Sequence, residues 1–244
     1  MNVEHTTEVK PFYFKQFVIH QDRCAMKVGT DGVLLGAWAD VQDVKTALDI
    51  GAGSGLIAIM LGQRAPEAAI HAVEIDEAAY LQAQENIQNA PWANRLSAFH
   101  LPVQDFVQAQ EQQYDLIVSN PPFFTGGTFS NNQDRMSVRH TIKLPHGDLL
   151  AAARTLLTEK GRFCVILPFI EGLRFQELAK SYHLYCTALT EVKPKADKPV
   201  ERLLMQFERE EHPLKQYGLV IQHDGRNEWT EAYRTLTGGF YLYM

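Results

Sequence analysis

The chain has 244 residues, 45% of them hydrophobic, and a formal net charge of −6. That is enough apolar material for one good core in one domain. The acidic balance speaks against nucleic-acid binding by bulk charge, and no apolar run approaches the ~20 residues of a membrane-spanning helix.

Residues 1–7 are polar and carry no apolar h-region, so no signal peptide is expected. Residues 1–45 read as an N-terminal extension that caps the domain at 46–244. This cap is expected to be strand-rich, with strands over 13–20 and 23–27 about a turn at Gln21-Asp22, and a short helix over 31–38. An α/β alternation then begins. Residues 46–50 form a buried strand; Gly51, Gly53 and Gly55 follow at alternate positions; a helix starts at Leu56. Glycines there let the backbone turn sharply and approach a ligand closely. The spacing is G-x-G-x-G, not the G-x-G-x-x-G of a dinucleotide site. It lacks the pyrophosphate cradle and suits a nucleoside without phosphates. The next strand, 70–73, ends at Glu74. That carboxylate lies roughly 20 residues past the glycines, where a ribose diol is gripped. The plain alternative is a tight strand-to-helix turn with a solvated glutamate.

A helix over 77–89 and a strand over 97–100 lead to Asp105, and a strand over 114–119 ends on Asn120-Pro121-Pro122-Phe123. A Gly- and Asn-rich loop follows at 124–145, long enough to be a binding element. Helix 148–157, strand 161–167 and helix 172–180 continue the alternation. Strands at 184–192 and 202–209 are joined by a stretch with Pro194 and Pro199 that is too short for a helix, so they form an antiparallel hairpin. The expected fold is α/β: a Rossmann-like, doubly wound sheet, mostly parallel, with an antiparallel edge hairpin. Such sheets bind ligands at the carboxyl ends of their strands, where Gly51, Glu74, Asp105 and Asn120 all fall.

The run at 120–123 carries the chemistry. The amino group of an aromatic base is a poor nucleophile, because its lone pair is delocalised into the ring. A site that accepts hydrogen bonds from both N–H groups favours a tetrahedral nitrogen and aims the lone pair. The Asn120 oxygen is one acceptor, and a backbone carbonyl beside a proline is the other. Pro121 and Pro122 stiffen the turn, and Phe123 offers a face for the base to stack on. The rate gain comes mostly from orientation. A lone run of this kind is more often a stiff turn with a core Phe. Its position after an apolar strand and downstream of a glycine loop reverses that preference. Together the motifs point to methyl transfer from S-adenosylmethionine to a planar exocyclic nitrogen.

On these residues the chain resembles a class I S-adenosylmethionine-dependent methyltransferase of the amino-methylating type. More narrowly, it resembles the bacterial tRNA(Val) adenine-37 N6-methyltransferase family. The resemblance covers nearly the whole chain. Its most specific part is Met26-Lys27-Val28-Gly29-Thr30-Asp31-Gly32-Val33-Leu34-Leu35-Gly36-Ala37-Trp38, and Arg139-His140 and Leu167-Pro168 also belong to it. It implies N6 methylation of an adenine in the valine tRNA anticodon loop, with tRNA as partner, in the cytoplasm. No metal, membrane or obligate protein partner is implied.

Roles are assigned as expectations. Gly51, Gly53 and Gly55 shape the methionine and ribose side of the cofactor site, and Glu74 holds the ribose hydroxyls with Ile75 against the adenine. Asp49 orients the cofactor's amino group, directly or through water, or else caps the turn. Asp105 accepts the cofactor adenine's amino group, or else N-caps a helix from Phe106. Asn120 borders cofactor and target alike. By the resemblance, Lys27, Thr30 and Asp31 close the methionine end or the target pocket. Arg139, with Arg135, His140 and Lys27, meets RNA phosphates; for Arg139 the alternative is a loop-anchoring ion pair. A third basic stretch, Lys193, Lys195, Lys198 and Arg202, flanks the hairpin turn. Cys24, Cys164 and Cys186 are few and far apart, and the nine His residues lack ligand spacing, so reduced thiols and no metal are expected.

Four other functions share parts of this pattern. Glutamine-N5 protein methyltransferases add a helical recognition domain, DNA adenine methyltransferases a recognition domain, and guanine-N2 rRNA enzymes often a duplicated domain. An RNA-binding assembly factor with a relic cofactor site is the non-enzymatic reading, and the intact glycine loop and Asn120 oppose it.

Overall fold

The computed structural model describes residues 9–122, 144–225 and 227–243. Phe123, Arg135, Arg139 and His140 lie outside the described residues. The chain opens with β1 (Phe12–Tyr13) and β2 (Val18–Ile19), paired antiparallel, and helix α1 (Thr30–Trp38). The alternation continues through β3 (Thr46–Ile50), α2 (Leu56–Arg64), β4 (Ala69–Glu74), α3 (Glu77–Gln88), β5 (Leu96–His100), α4 (Val103–Ala109) and β6 (Tyr114–Ser119). After the undescribed stretch come α5 (His146–Leu156), β7 (Leu157–Pro168), α6 (Phe169–Lys180), β8 (Tyr185–Lys195), β9 (Arg202–Glu208), β10 (Lys215–Gln222) and α7 (Glu231–Thr237).

Eight strands form the central sheet in the order β10-β8-β9-β7-β6-β3-β4-β5. The run β7-β6-β3-β4-β5 is parallel, and β9 is antiparallel to both β7 and β8. The expected hairpin of β8 and β9 forms at this end of the sheet. One further strand, β10, pairs parallel with the outer side of β8.

Side chains alternate along each strand, so the sheet feeds two cores. On β3, Ala47 joins the core of α1 and α2, whereas Leu48 and Ile50 join the core of α4, α5 and α6. Helix α5 buries Leu149, Leu150, Ala153 and Leu156, an apolar stripe at helical spacing that faces the second core. Helix α2 is buried at every position from Leu56 to Gly62, in a core that it shares with α1 and with one face of the sheet. That cover is close at Gly36. A Cβ there would come within 2.8 Å of the Met60 sulfur and 3.1 Å of its Cβ.

The N-terminal extension differs from expectation. Only 12–13 and 18–19 pair as strands, and residues 20–28 have neither strand nor helix. Their backbone is engaged by side chains of α3 rather than by a neighbouring strand. Trp38, at the end of α1, is partly buried and donates its Nε1–H to Thr190 Oγ1 at 3.0 Å.

At the junction of β3 and α2, Asp49 is fully buried. Its Oδ2 accepts the Ala58 N–H at 3.1 Å, inside the first turn of α2, and its Oδ1 has no partner among the described residues. Burial pushes this carboxyl up to about 7; the Ala58 N–H opposes the shift and the Glu74 charge adds to it. The protonated form is therefore favoured by folding. Its contribution to stability is complete at acid pH and is lost as pH rises through about 7.

Two outcomes are expected. Gly36→Val should destabilise the protein by about 1–3 kcal/mol through overpacking against Met60, as read by denaturant unfolding; an unchanged midpoint would mean that α1 and α2 separate freely. Asp49→Asn removes the charge and keeps an acceptor for Ala58. It should raise the melting temperature of the unliganded protein above about pH 7 and flatten its pH dependence below that. Parallel wild-type and variant profiles would contradict the burial of an ionisable carboxyl.

Candidate active site

The chain leaving β3 goes on to β4 and the chain leaving β6 goes on to β7, on opposite sides of the β3–β6 pair, which opens a crevice at the carboxyl edge of the sheet. The Ser119 hydroxyl closes its floor by donating to the Ile50 carbonyl at 2.8 Å, which fastens the end of β6 to the end of β3. A cavity of about 260 Å³ lies above.

The loop after β3 turns through left-handed backbone at Gly51 (φ 73°), Gly53 (φ 56°) and Gly55 (φ 79°). At Gly53 this conformation aims the N–H at Glu74 Oε2, 2.9 Å away. Gly55 is the N-cap of α2, and a Cβ there would come within 3.3 Å of Ala83 on α3, so the loop can enter the helix only through glycine. Glu74 is the last residue of β4 and is almost fully buried. Its second oxygen accepts the Asp76 N–H at 2.8 Å. Asp76 in turn caps α3 by accepting the Ala79 N–H at 3.1 Å. One carboxylate thus joins the glycine loop to the turn between β4 and α3.

Asn120 follows β6. Its Oδ1 is buried and has no hydrogen-bond partner among the described residues. Asn120 and Pro122 line the cavity together with Gly51, Gly53, Glu74 and Ile75. Ile75 is 41% exposed and offers apolar surface at the rim. Pro121 is buried and is not among the lining residues.

The other expected site residues stand off the cavity wall. Asp49 lies beneath the glycine loop, and Gly55 shapes the entry to α2. Asp105 is exposed in the first turn of α4, whose N-cap is Pro102, so it neither caps that helix nor lines the cavity. Lys27 donates its Nζ to the carbonyls of Gln21 at 2.7 Å and Cys24 at 2.6 Å. Thr30 begins α1, and Asp31 in its first turn pairs with Arg202 Nε at 2.9 Å.

Two walls were not foreseen. One is Cys24, Ala25 and Met26 of the N-terminal extension. The other is Leu101, Pro102, Val103 and Gln104, where β5 leads into α4. Neither stretch carries a motif, and the only hint was that 26–38 is family-specific. Cys24 is buried, and burial pushes its thiol up to about 11, so it is not poised as a nucleophile. Among the described residues no cluster of His, Cys, Asp and Glu suits a metal ion, and no helix is long and apolar enough to cross a membrane.

Comparison with known proteins identifies the chain's relatives. Residues 29–169 match the family described as Methyltransferase small domain. A tRNA1(Val) (adenine(37)-N6)-methyltransferase of Histophilus somni is 47% identical over 232 residues, which cover 95% of this chain and 97% of that protein. The protein of the same name from Proteus mirabilis is 43% identical over 237 residues, covering 95% and 94%. The crystal structure of a predicted O-methyltransferase from Agrobacterium tumefaciens superposes with a TM-score of 0.69 at 17% identity, over 86% of this chain and 96% of the other, a likeness of fold. With nearly its whole length matched at this identity, the chain belongs to the family of tRNA1(Val) (adenine(37)-N6)-methyltransferases.

Proposed function

We infer that the protein transfers a methyl group from S-adenosyl-L-methionine to the N6 amino group of an adenine in tRNA, at position 37 of the valine tRNA anticodon loop. The observation that carries this reading is Asn120, whose buried Oδ1 has no partner among the described residues although the residue lines the cavity. An unpaired buried acceptor costs about 1–3 kcal/mol. An amino group with two N–H donors removes that cost, and the relatives bear such an activity in their names.

The remaining donors and acceptors fit the cofactor. Each Glu74 oxygen takes one backbone N–H and keeps a lone pair for a ribose hydroxyl. Space is open where a Cβ would stand on Gly51 and Gly53, so a ligand can approach their backbone. Ile75 suits an adenine ring. The unpartnered Asp49 Oδ1 lies beneath the glycine loop, off the cavity wall, and suits an ammonium group through a water rather than directly. When bound, the cofactor supplies an electrophilic methyl group. Asn120 accepts one N–H of the target, and a carbonyl beside the prolines accepts the other, so that the nitrogen lone pair faces the methyl. Phe123 stacks on the base. Arg135, Arg139 and His140 hold the RNA backbone, whereas Lys27 braces residues 20–28 through the Gln21 and Cys24 carbonyls. Thr30, Asp31 and Asp105 act from outside the cavity wall. On this reading residues 1–45 cap a methyltransferase domain of 46–244. The enzyme works in the cytoplasm without a metal or an obligate protein partner.

The direct test is mass spectrometry of tRNA nucleosides from cells lacking the gene. Loss of N6-methyladenosine from the valine tRNA is expected; an unchanged nucleoside profile would remove tRNA as substrate. Two variants dissect the site. Asn120→Ala should lower turnover by a factor on the order of 100 and leave cofactor affinity nearly intact, and Asn120→Asp should keep more activity. Normal turnover in the Ala variant would take Asn120 out of the mechanism. Glu74→Ala should behave in the opposite way, weakening S-adenosylmethionine binding by about 1.5–3 kcal/mol with a smaller effect at saturation. Equal affinity by calorimetry would mean that the ribose is held elsewhere.

A further inference from the structure

Residues 20–28 join β2 to α1 without helix or strand, yet Cys24, Ala25 and Met26 of this strap form one wall of the cavity. Buried backbone groups must find partners. Here side chains supply them, chiefly two amides one turn apart on α3. Gln82 is 0% exposed and Asn86 1% exposed. Asn86 Oδ1 accepts the His20 N–H at 2.9 Å, and Asn86 Nδ2 donates to the His20 carbonyl at 2.8 Å. That two-bond clasp is what a neighbouring strand residue would provide. Gln82 Oε1 accepts the Arg23 N–H at 3.0 Å. Within the strap, Gln21 Oε1 accepts the Val28 N–H at 2.7 Å, and Lys27 braces the Gln21 and Cys24 carbonyls.

Asn86 does one thing more. Its Nδ2 also donates to the Ser54 carbonyl at 2.9 Å, inside the glycine loop. A single buried amide therefore fastens the strap to the loop, using both of its N–H donors and its oxygen. A merely space-filling position on α3 would hold an aliphatic side chain at lower desolvation cost. Neither Gln82 nor Asn86 lines the cavity.

We propose that Gln82 and Asn86 are positioning residues for the cofactor: they hold residues 20–28 as a cavity wall, and Asn86 locks that wall to the glycine loop. This inference rests on the reading of the cavity as an S-adenosylmethionine site. On that reading the target base enters beside Asn120, so its recognition does not run through these amides.

The test compares wild type, Asn86→Ala and Gln82→Met. S-adenosylmethionine is titrated by calorimetry, and KM and kcat are measured for cofactor and tRNA separately. Limited trypsin digestion reads the strap directly, because Arg23 and Lys27 are cleavage sites within it. Asn86→Ala should raise Kd and KM for the cofactor about tenfold, the equivalent of its lost hydrogen bonds. Gln82→Met should raise both by a smaller factor. KM for tRNA and kcat at saturating cofactor should change little, and cleavage after Arg23 and Lys27 should accelerate in both variants. Folded variants with wild-type cofactor affinity and wild-type cleavage overturn the proposal, as does a loss confined to kcat or to KM for tRNA. If Asn86→Ala does not fold, Gln82→Met, which removes one hydrogen bond, decides the question by the same measurements. Failure of the wild type to bind the cofactor at all removes the reading of the site, and this inference with it. Binding by wild type with no difference in the variants removes this inference alone.

Discussion

Parallel pairing of β6, β3 and β4 forces their carboxyl ends to a single edge, and everything functional in this protein follows from what those ends release. β3 releases the glycine loop, β4 releases Glu74, and β6 releases Asn120. Had any one of these strands run the other way, its terminal residue would sit a sheet's width from the others. The Ser119–Ile50 hydrogen bond keeps the ends of β6 and β3 in step, so the two functional loops rise from a common floor.

Around that floor, polar burial is arranged unevenly. Glu74 and Asn86 are satisfied by the backbone, each linking segments far apart in sequence. Asp49 and Asn120, by contrast, each keep one buried oxygen without a partner among the described residues. The first pair makes the scaffold stiff. Of the second pair only Asn120 lines the cavity, and it leaves unmet demand for an N–H donor that a ligand with an amino group can meet.

Much of this was legible in the chain. Strong β-propensity and short apolar runs marked β3, β4 and β6, and the glycine spacing and the Asn-Pro-Pro run fell at their ends. Residues 20–28 were not legible, because what organises them is a pair of amides about 60 residues later on α3. Local propensity suggested a strand there, and tertiary partners overrode it. The wall at Leu101 to Gln104 is built from ordinary apolar and polar residues that carry no signature. β10 escaped for another reason. Its first four residues are exposed and only Leu219 is buried, so it lacks the alternation that betrays a strand with one face in a core.

The wall that holds Cys24 bears on the reaction's fidelity. A sulfur nucleophile beside a reactive methyl donor is a rival acceptor, and a thiolate is a far better nucleophile than an aromatic amine. Burial, with the negative charges of Glu74 and Asp76 nearby, keeps the proton on this sulfur, and only the Lys27 ammonium pulls the other way. With a thiol pushed up to about 11, the ionised fraction near neutrality is roughly one part in ten thousand. The same packing that forms the cavity therefore keeps the thiol in its wall a poor nucleophile.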